Sequence, residues 1–302
     1  MLLVSTMLFA LLTVAFLNSI YIVKNYKHNC SSQMQYLLEK KSYLVTTIIY
    51  LALIVKIVLL PYFTYTINEL SNIIPGAMCG AGVISANSYG EILIVLKIFI
   101  ILSTMIWLTL NREDLESKNF KYFKKKIWLF LFIYLAILFE VVLEYLFFTN
   151  LSTVNPVSCC STLYSNTPQN ELPLNISIFK LVISFYVTYV LILISSYFKK
   201  NYLLASLSLL YLYLSYQVIV HFFSTYVYQL PTHKCPYCLL QSDYYYVGYI
   251  IYSSIIISTF YALSTLFFNR DVFKRSAISY TVATLFISLN FIIYLIINRT
   301  FL

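Results

Sequence analysis

Apolar residues in this chain come in long unbroken runs, not in the narrow stripes of a water-soluble helix. Eight runs stand out, at about 2–23, 44–67, 92–110, 127–149, 176–198, 202–229, 246–268 and 276–298. Each is close to or above the roughly 20 residues that a helix needs to cross a bilayer. The polar stretches between them are short, the longest being about 26 residues. Backbone groups in hydrocarbon must be satisfied within their own segment, which selects helices. The runs are too long for barrel strands and lack strict alternation. The pattern predicts an all-α, polytopic transmembrane bundle of about eight spans, with residues 1–302 forming a single integral membrane domain.

Composition agrees. Of 302 residues, 61% are hydrophobic and only 10% are charged, against about 25% charged in a soluble domain. Such a chain cannot cover a water-facing surface, so the lipid bilayer is its first partner. The net charge of +9 does not point to nucleic acid, because the positive residues sit in short loops between apolar runs. Lys24, Lys27, Lys40 and Lys41 follow the first run; Arg112, Lys118, Lys121, Lys124, Lys125 and Lys126 follow the third. Lys199 and Lys200 follow the fifth, and Arg270, Lys274 and Arg275 the seventh. That is fifteen on one side, against Lys234 and Arg299 on the other. The positive-inside rule puts the rich side in the cytoplasm and both termini outside. In a bacterium this means an inner-membrane protein with an outer face in the periplasm.

This topology sorts the six cysteines. Cys79, Cys159, Cys160, Cys235 and Cys238 fall in outer loops, and Cys30 falls on the cytoplasmic side. The outer face is where disulfides form and persist. The stretch with the narrowest chemical meaning is Pro231-Thr232-His233-Lys234-Cys235-Pro236-Tyr237-Cys238. A Cys-x-x-Cys pair serves thiol-disulfide exchange, metal ligation or a structural bridge. Leu239, where a histidine would be needed, sets aside c-type haem attachment. Pro236 suits the first turn of a helix, so the helix of run 246–268 is expected to begin near it. Cys235 would then lie at a helix N-terminus beside Lys234 and His233, all of which favour thiolate. In an exchange reaction Cys235 attacks and Cys238 resolves, with Cys159, Cys160 or Cys79 supplying a second dithiol.

The Cys-Pro-Tyr-Cys filling is similar to that of glutaredoxins, over four residues only and with no soluble α/β domain to carry it. Two exchangeable pairs on one face of a helical bundle resemble, in logic, the disulfide-bond-forming and vitamin-K-epoxide-reductase types of membrane thiol oxidase. That likeness implies quinone as electron acceptor and a periplasmic thiol protein as partner. The metal reading uses the same atoms. Cys235, Cys238 and His233, closed by Cys79, Cys159 or Cys160, suit copper or zinc. A non-enzymatic membrane subunit with structural disulfides is the third reading, and no particular reaction follows from the pattern.

Charged residues inside the spans add a second candidate site. Glu140 and Glu144 share one face of the fourth span. Lys56, Lys97 and Lys180 enter the second, third and fifth spans, and His221 the sixth. Buried in hydrocarbon, such groups pair with one another or mark a proton path. At least one of the lysines is expected within ion-pair reach of a carboxylate.

Overall fold

A computed structural model describes residues 1–25, 33–117, 122–158, 176–268 and 272–302. Among these residues there are helices, turns and loops, and no strand. Eight helices are long and apolar enough to cross a membrane. They are α1 (Leu2–Asn25), α2 (Gln33–Leu70), α4 (Tyr89–Glu116), α5 (Phe123–Thr149), α6 (Ile178–Tyr197), α7 (Asn201–Tyr228), α8 (Val247–Ser264) and α9 (Val272–Asn298). A short α3 (Gly80–Ile84) sits between α2 and α4. The eight apolar runs thus all become helices. Several overrun the apolar stretch, α2 and α4 by the most. The 38 residues of α2 begin at Gln33 and extend about 57 Å at 1.5 Å per residue, and α4 continues through Asn111 to Glu116. Hydropathy marks where lipid lies. Good helix formers such as Gln, Glu, Lys and Arg carry the same helix on past it.

The chain forms two compact units, residues 1–66 with 87–151 and residues 67–86 with 152–302. In the first, α1 buries Ser5, Leu8, Leu12, Ala15, Ser19 and Ile22. These positions advance by alternating steps of three and four and form one stripe, partly of small residues. Leu3, Met7, Leu11, Val14 and Leu17 point outward and are exposed. This is the order expected in lipid: large apolar side chains meet acyl chains, and small residues let helices approach. Helix α5 packs against both α1 and α4.

Charge joins the four spans of this unit. Lys56 on α2 puts its Nζ 2.7 Å from Glu140 Oε2. Lys97 on α4 lies 2.6 Å from Glu140 Oε1 and 2.8 Å from Glu144 Oε2. The last carboxylate oxygen, Glu144 Oε1, accepts from Ser5 Oγ of α1 at 2.9 Å. All four carboxylate oxygens are therefore occupied, and two lysines balance two glutamates. Lys97 also lies over the Phe63 ring, 4.5 Å from its centroid. A second buried pair, which the sequence reading assigned to loop charge, links Lys126 Nζ to Asp114 Oδ2 at 2.7 Å. Trp107 Nε1 donates to the Lys126 carbonyl at 2.8 Å, which fixes the start of α5.

In the second unit α6 packs on α7, α7 on α8, α8 on α9 and α9 back on α6, closing a four-helix ring. Its interior carries Phe185, Tyr211, Ile255, Tyr280 and Ile287. Hydroxyl pairs tie α9 to its neighbours: Tyr186 with Ser288 at 2.7 Å, Tyr211 with Thr284 at 2.8 Å, and Tyr189 donating to Thr281 at 3.1 Å. A π-turn at Ile219–Phe223 interrupts α7.

The charge chain makes a stability prediction. Glu140→Ala leaves Lys56 buried without its carboxylate, and should cost about 3–5 kcal/mol of unfolding free energy. Replacing both partners, Lys56→Met with Glu140→Gln, should cost less than Glu140→Ala alone, because no unmatched charge is left. Unfolding in mixed detergent micelles reads both. A cost below about 1 kcal/mol for Glu140→Ala, the size of an exposed pair, would reject the chain as a structural tie.

Candidate functional site

The site lies in the second unit and is built from two loops. The first follows α2. Its turn at Pro75-Gly76 needs glycine: Gly76 has φ +82°, and a Cβ there would stand 2.4 Å from the Val157 carbonyl oxygen. The Val157 N–H donates to the Pro75 carbonyl at 2.9 Å. The residues around Cys79 are pinned on both sides. Met78 offers its carbonyl to Gln241 Nε2 at 3.3 Å, and the Gly80 N–H donates to Asn68 Oδ1 at 2.8 Å.

The second loop leaves α7 through Gln229, whose left-handed backbone (φ 55°) ends the helix. Tyr228 OH donates to the Cys235 carbonyl, and Tyr252 OH donates to the Pro236 carbonyl at 2.9 Å. The loop then tightens into a 3-10 turn at Cys238–Leu240. Gly248, one residue into α8, lets that turn pack closely: a Cβ there would lie 2.9 Å from Leu239 backbone atoms.

Together the loops bring three sulfurs to one point. Cys79 Sγ stands 3.4 Å from Cys235 Sγ, and the sulfurs of Cys79, Cys235 and Cys238 all lie within 4.8 Å of one another. The residues are 0%, 1% and 5% exposed. The 3.4 Å between Cys79 and Cys235 exceeds the roughly 2.05 Å of a disulfide, and no disulfide is formed among the described cysteines. A metal ion bonded at about 2.3 Å to each of three sulfurs would hold them about 4.0 Å apart in a plane. The trio is therefore the right size to hold a soft metal ion.

The expected helix N-terminus at Cys235 does not form. Helix α8 begins only at Val247, after Tyr245 and Tyr246, whose φ values of 53° and 54° break any helix from Pro236. The i to i+3 bonds of the short turn, Leu240 N–H to Tyr237 O and Gln241 N–H to Cys238 O, replace it. The backbone is turned here because burying Cys238, Leu239 and Leu240 together requires the chain to fold back before α8 starts.

The other expected site residues are placed as follows. Cys159 and Cys160 lie outside the described residues, as does Cys30. His233 is not part of the converging group. Its ring packs edge-on to Tyr228 at 4.4 Å, and its Nε2 is buried with no hydrogen-bond partner among the described residues. Lys234 is buried, and that burial pushes its ammonium below the ordinary lysine value. Lys56, Lys97, Glu140 and Glu144 form the charge chain of the first unit. Lys180 is exposed in the first turn of α6, where its N–H donates to Ser177 Oγ at 3.4 Å, and His221 is half-buried in the π-turn. Both belong to the second unit.

The sequence reading missed Tyr228 and Tyr252, which hold the Cys235-Pro236 carbonyls. Nothing in the pattern separates these two from the chain's 30 tyrosines. It also missed Ser5, although a hydroxyl on the small-residue stripe of α1 is a readable sign of an inward partner. No protein-family model, curated protein or solved structure matches this chain.

If the loop–helix contact at Gly248 holds the trio, Gly248→Ala should displace the Cys238–Leu240 turn and cost about 1–3 kcal/mol, as overpacking does. Alkylation of Cys238 in detergent should then run faster than in the parent protein. An unchanged alkylation rate would show that the contact does not hold the turn.

Proposed function

We propose that this protein is a multi-pass membrane protein that binds a soft metal ion, copper or zinc, through Cys79, Cys235 and Cys238. The convergence of three buried thiols from two loops, 156 residues apart for the closest pair, carries the reading. Thiolates select such ions, and a closed, water-poor site suits ligation better than reaction with a protein partner. The charge bias of the loops supports an orientation in which this site faces the outer side, the periplasm in a bacterium, with both termini there. The metal would offset part of the thiolates' negative charge and lock the loops, since ligation and loop folding are coupled.

The second reading is thiol-disulfide exchange, favoured by the 3.4 Å separation of the Cys79 and Cys235 sulfurs. In it these two thiols join, giving two protons and two electrons to an acceptor of the quinone class. Burial counts against it, because exchange with a protein partner needs an accessible thiolate.

Metal analysis of the full chain, purified without chelators, separates the two. The metal reading expects about one equivalent of copper or zinc, with all three cysteines alkylated after denaturation without reductant. Metal-free protein with Cys79 and Cys235 in one disulfide-linked peptide pair would replace it by the exchange reading. Metal-free protein with three thiols would end both. The orientation has its own check in intact cells. An impermeant maleimide should label Met78→Cys and leave Lys200→Cys unlabelled, both positions being exposed; the reverse result inverts the topology.

A further inference from the structure

We infer that the metal site is redox-gated: hydrogen peroxide joins Cys79 to Cys235 as a disulfide, and a bound zinc ion is released. This rests on the metal reading above and adds to it how the ion leaves. The 3.4 Å between the two sulfurs stands between two bonded states. A disulfide holds sulfurs about 2.05 Å apart. A shared ion, bonded at about 2.3 Å, holds them about 3.8–4.0 Å apart. The pair therefore spreads by about 0.4–0.6 Å to ligate and closes by about 1.4 Å to bond. A change of side-chain rotamer covers either shift with the backbone left in place. That backbone is held on both sides: the Gly80 N–H donates to Asn68 Oδ1, and the Cys235 carbonyl accepts from Tyr228 OH.

This pair differs from the one that the Cys-x-x-Cys spacing suggests. Cys235 meets a sulfur from the other loop, 156 residues away, while Cys238 opens the 3-10 turn that continues through Leu240. Whatever further group completes the site, oxidation of Cys79 and Cys235 takes two sulfurs from the ion at once. Burial selects the oxidant. The three cysteines are at most 5% exposed, which shuts out a protein disulfide but not a neutral molecule close to water in size. Apolar burial keeps a free thiol protonated and inert. Ligation reverses this, because a coordinating thiol is deprotonated outright, and thiolate is the form that is oxidised.

One thiolate of the pair attacks a peroxide oxygen. The S–O bond forms as the O–O bond breaks, leaving a sulfenic acid and hydroxide. The second thiolate attacks the sulfenic sulfur, forming the S–S bond and breaking the S–O bond. Two thiolates, one hydrogen peroxide and two protons thus give one disulfide and two waters. The sulfurs pass two electrons to the peroxide oxygens, and zinc, which has no redox chemistry, takes none.

The test uses the full chain in detergent, reduced and then loaded with zinc(II) against a chromophoric zinc chelator. Hydrogen peroxide is added, released zinc is read on the chelator, and disulfides are mapped by peptide analysis without reductant. The expected result is zinc release in step with one linked peptide pair, Cys79 with Cys235. A thiol reductant should reverse both. Zinc binding should be more than about 100-fold weaker in the oxidised protein, since losing even a supporting group around a metal site costs about 10–100-fold. The parent protein is enough, so no variant has to fold. Zinc retained under peroxide, or released without the Cys79–Cys235 pair, would overturn the gate and leave the metal reading intact. A bridge from Cys235 to Cys238, or from either to Cys159 or Cys160, counts as such a result. Reduced protein that takes up no zinc also overturns the gate, and if it takes up no copper(I) either, the metal reading falls with it. Starting from loaded protein keeps the gate apart from the exchange reading, in which the reduced chain holds no ion.

Discussion

A charge buried among apolar helices has to be matched from within the protein, because no water is there to do it. Glu140 and Glu144 are matched on all four of their oxygens by groups on α1, α2 and α4. The two glutamates project from one face of α5, four residues apart. This fixes the register of each neighbour, since sliding α2 or α4 by one turn would move a lysine about 5.4 Å from its carboxylate. A buried ion pair is weak evidence for net stability and better evidence for specificity. Here the specificity is which four spans assemble, and at what height along one another.

The second unit meets the same constraint with neutral groups. Tyrosine, serine and threonine hydroxyls pair across α6, α7 and α9. The loops between spans are drawn in and their backbone carbonyls are met by side chains, Tyr228 for Cys235, Tyr252 for Pro236 and Gln241 for Met78. Polar backbone buried this way must be satisfied, and satisfying it with side chains from separate elements sets where each loop atom lies. The three sulfurs meet as a consequence. Their proximity is a property of the loop packing and needs no bond between them.

Burial also orders the functional readings. A cysteine pair with proline and tyrosine between suggests exchange chemistry when read alone. A reactive thiol is accessible and is held as thiolate by its surroundings. The trio is closed off, and no helix N-terminus forms at Cys235. The same closure is no obstacle to a bound ion, which, once seated, is protected by it.

The sequence alone determined the helical, membrane-spanning character, the number of spans and the presence of paired charges within them. These follow from one-dimensional quantities: length of apolar runs, number of charges, and the cost of either in hydrocarbon. It also marked Cys235 and Cys238, because a two-residue spacing brings them together locally. Only the tertiary structure decided that Cys79 joins them, that His233 stands aside against Tyr228, and that Lys126 is a buried partner of Asp114 and not a loop charge. These depend on contacts between residues distant along the chain, which no local pattern encodes. The start of α8 was decided there too. A proline fits the first turn of a helix, but two tyrosines in left-handed backbone and a glycine closed against Leu239 placed that start at Val247. Packing the turn against the bundle outweighed the local preference.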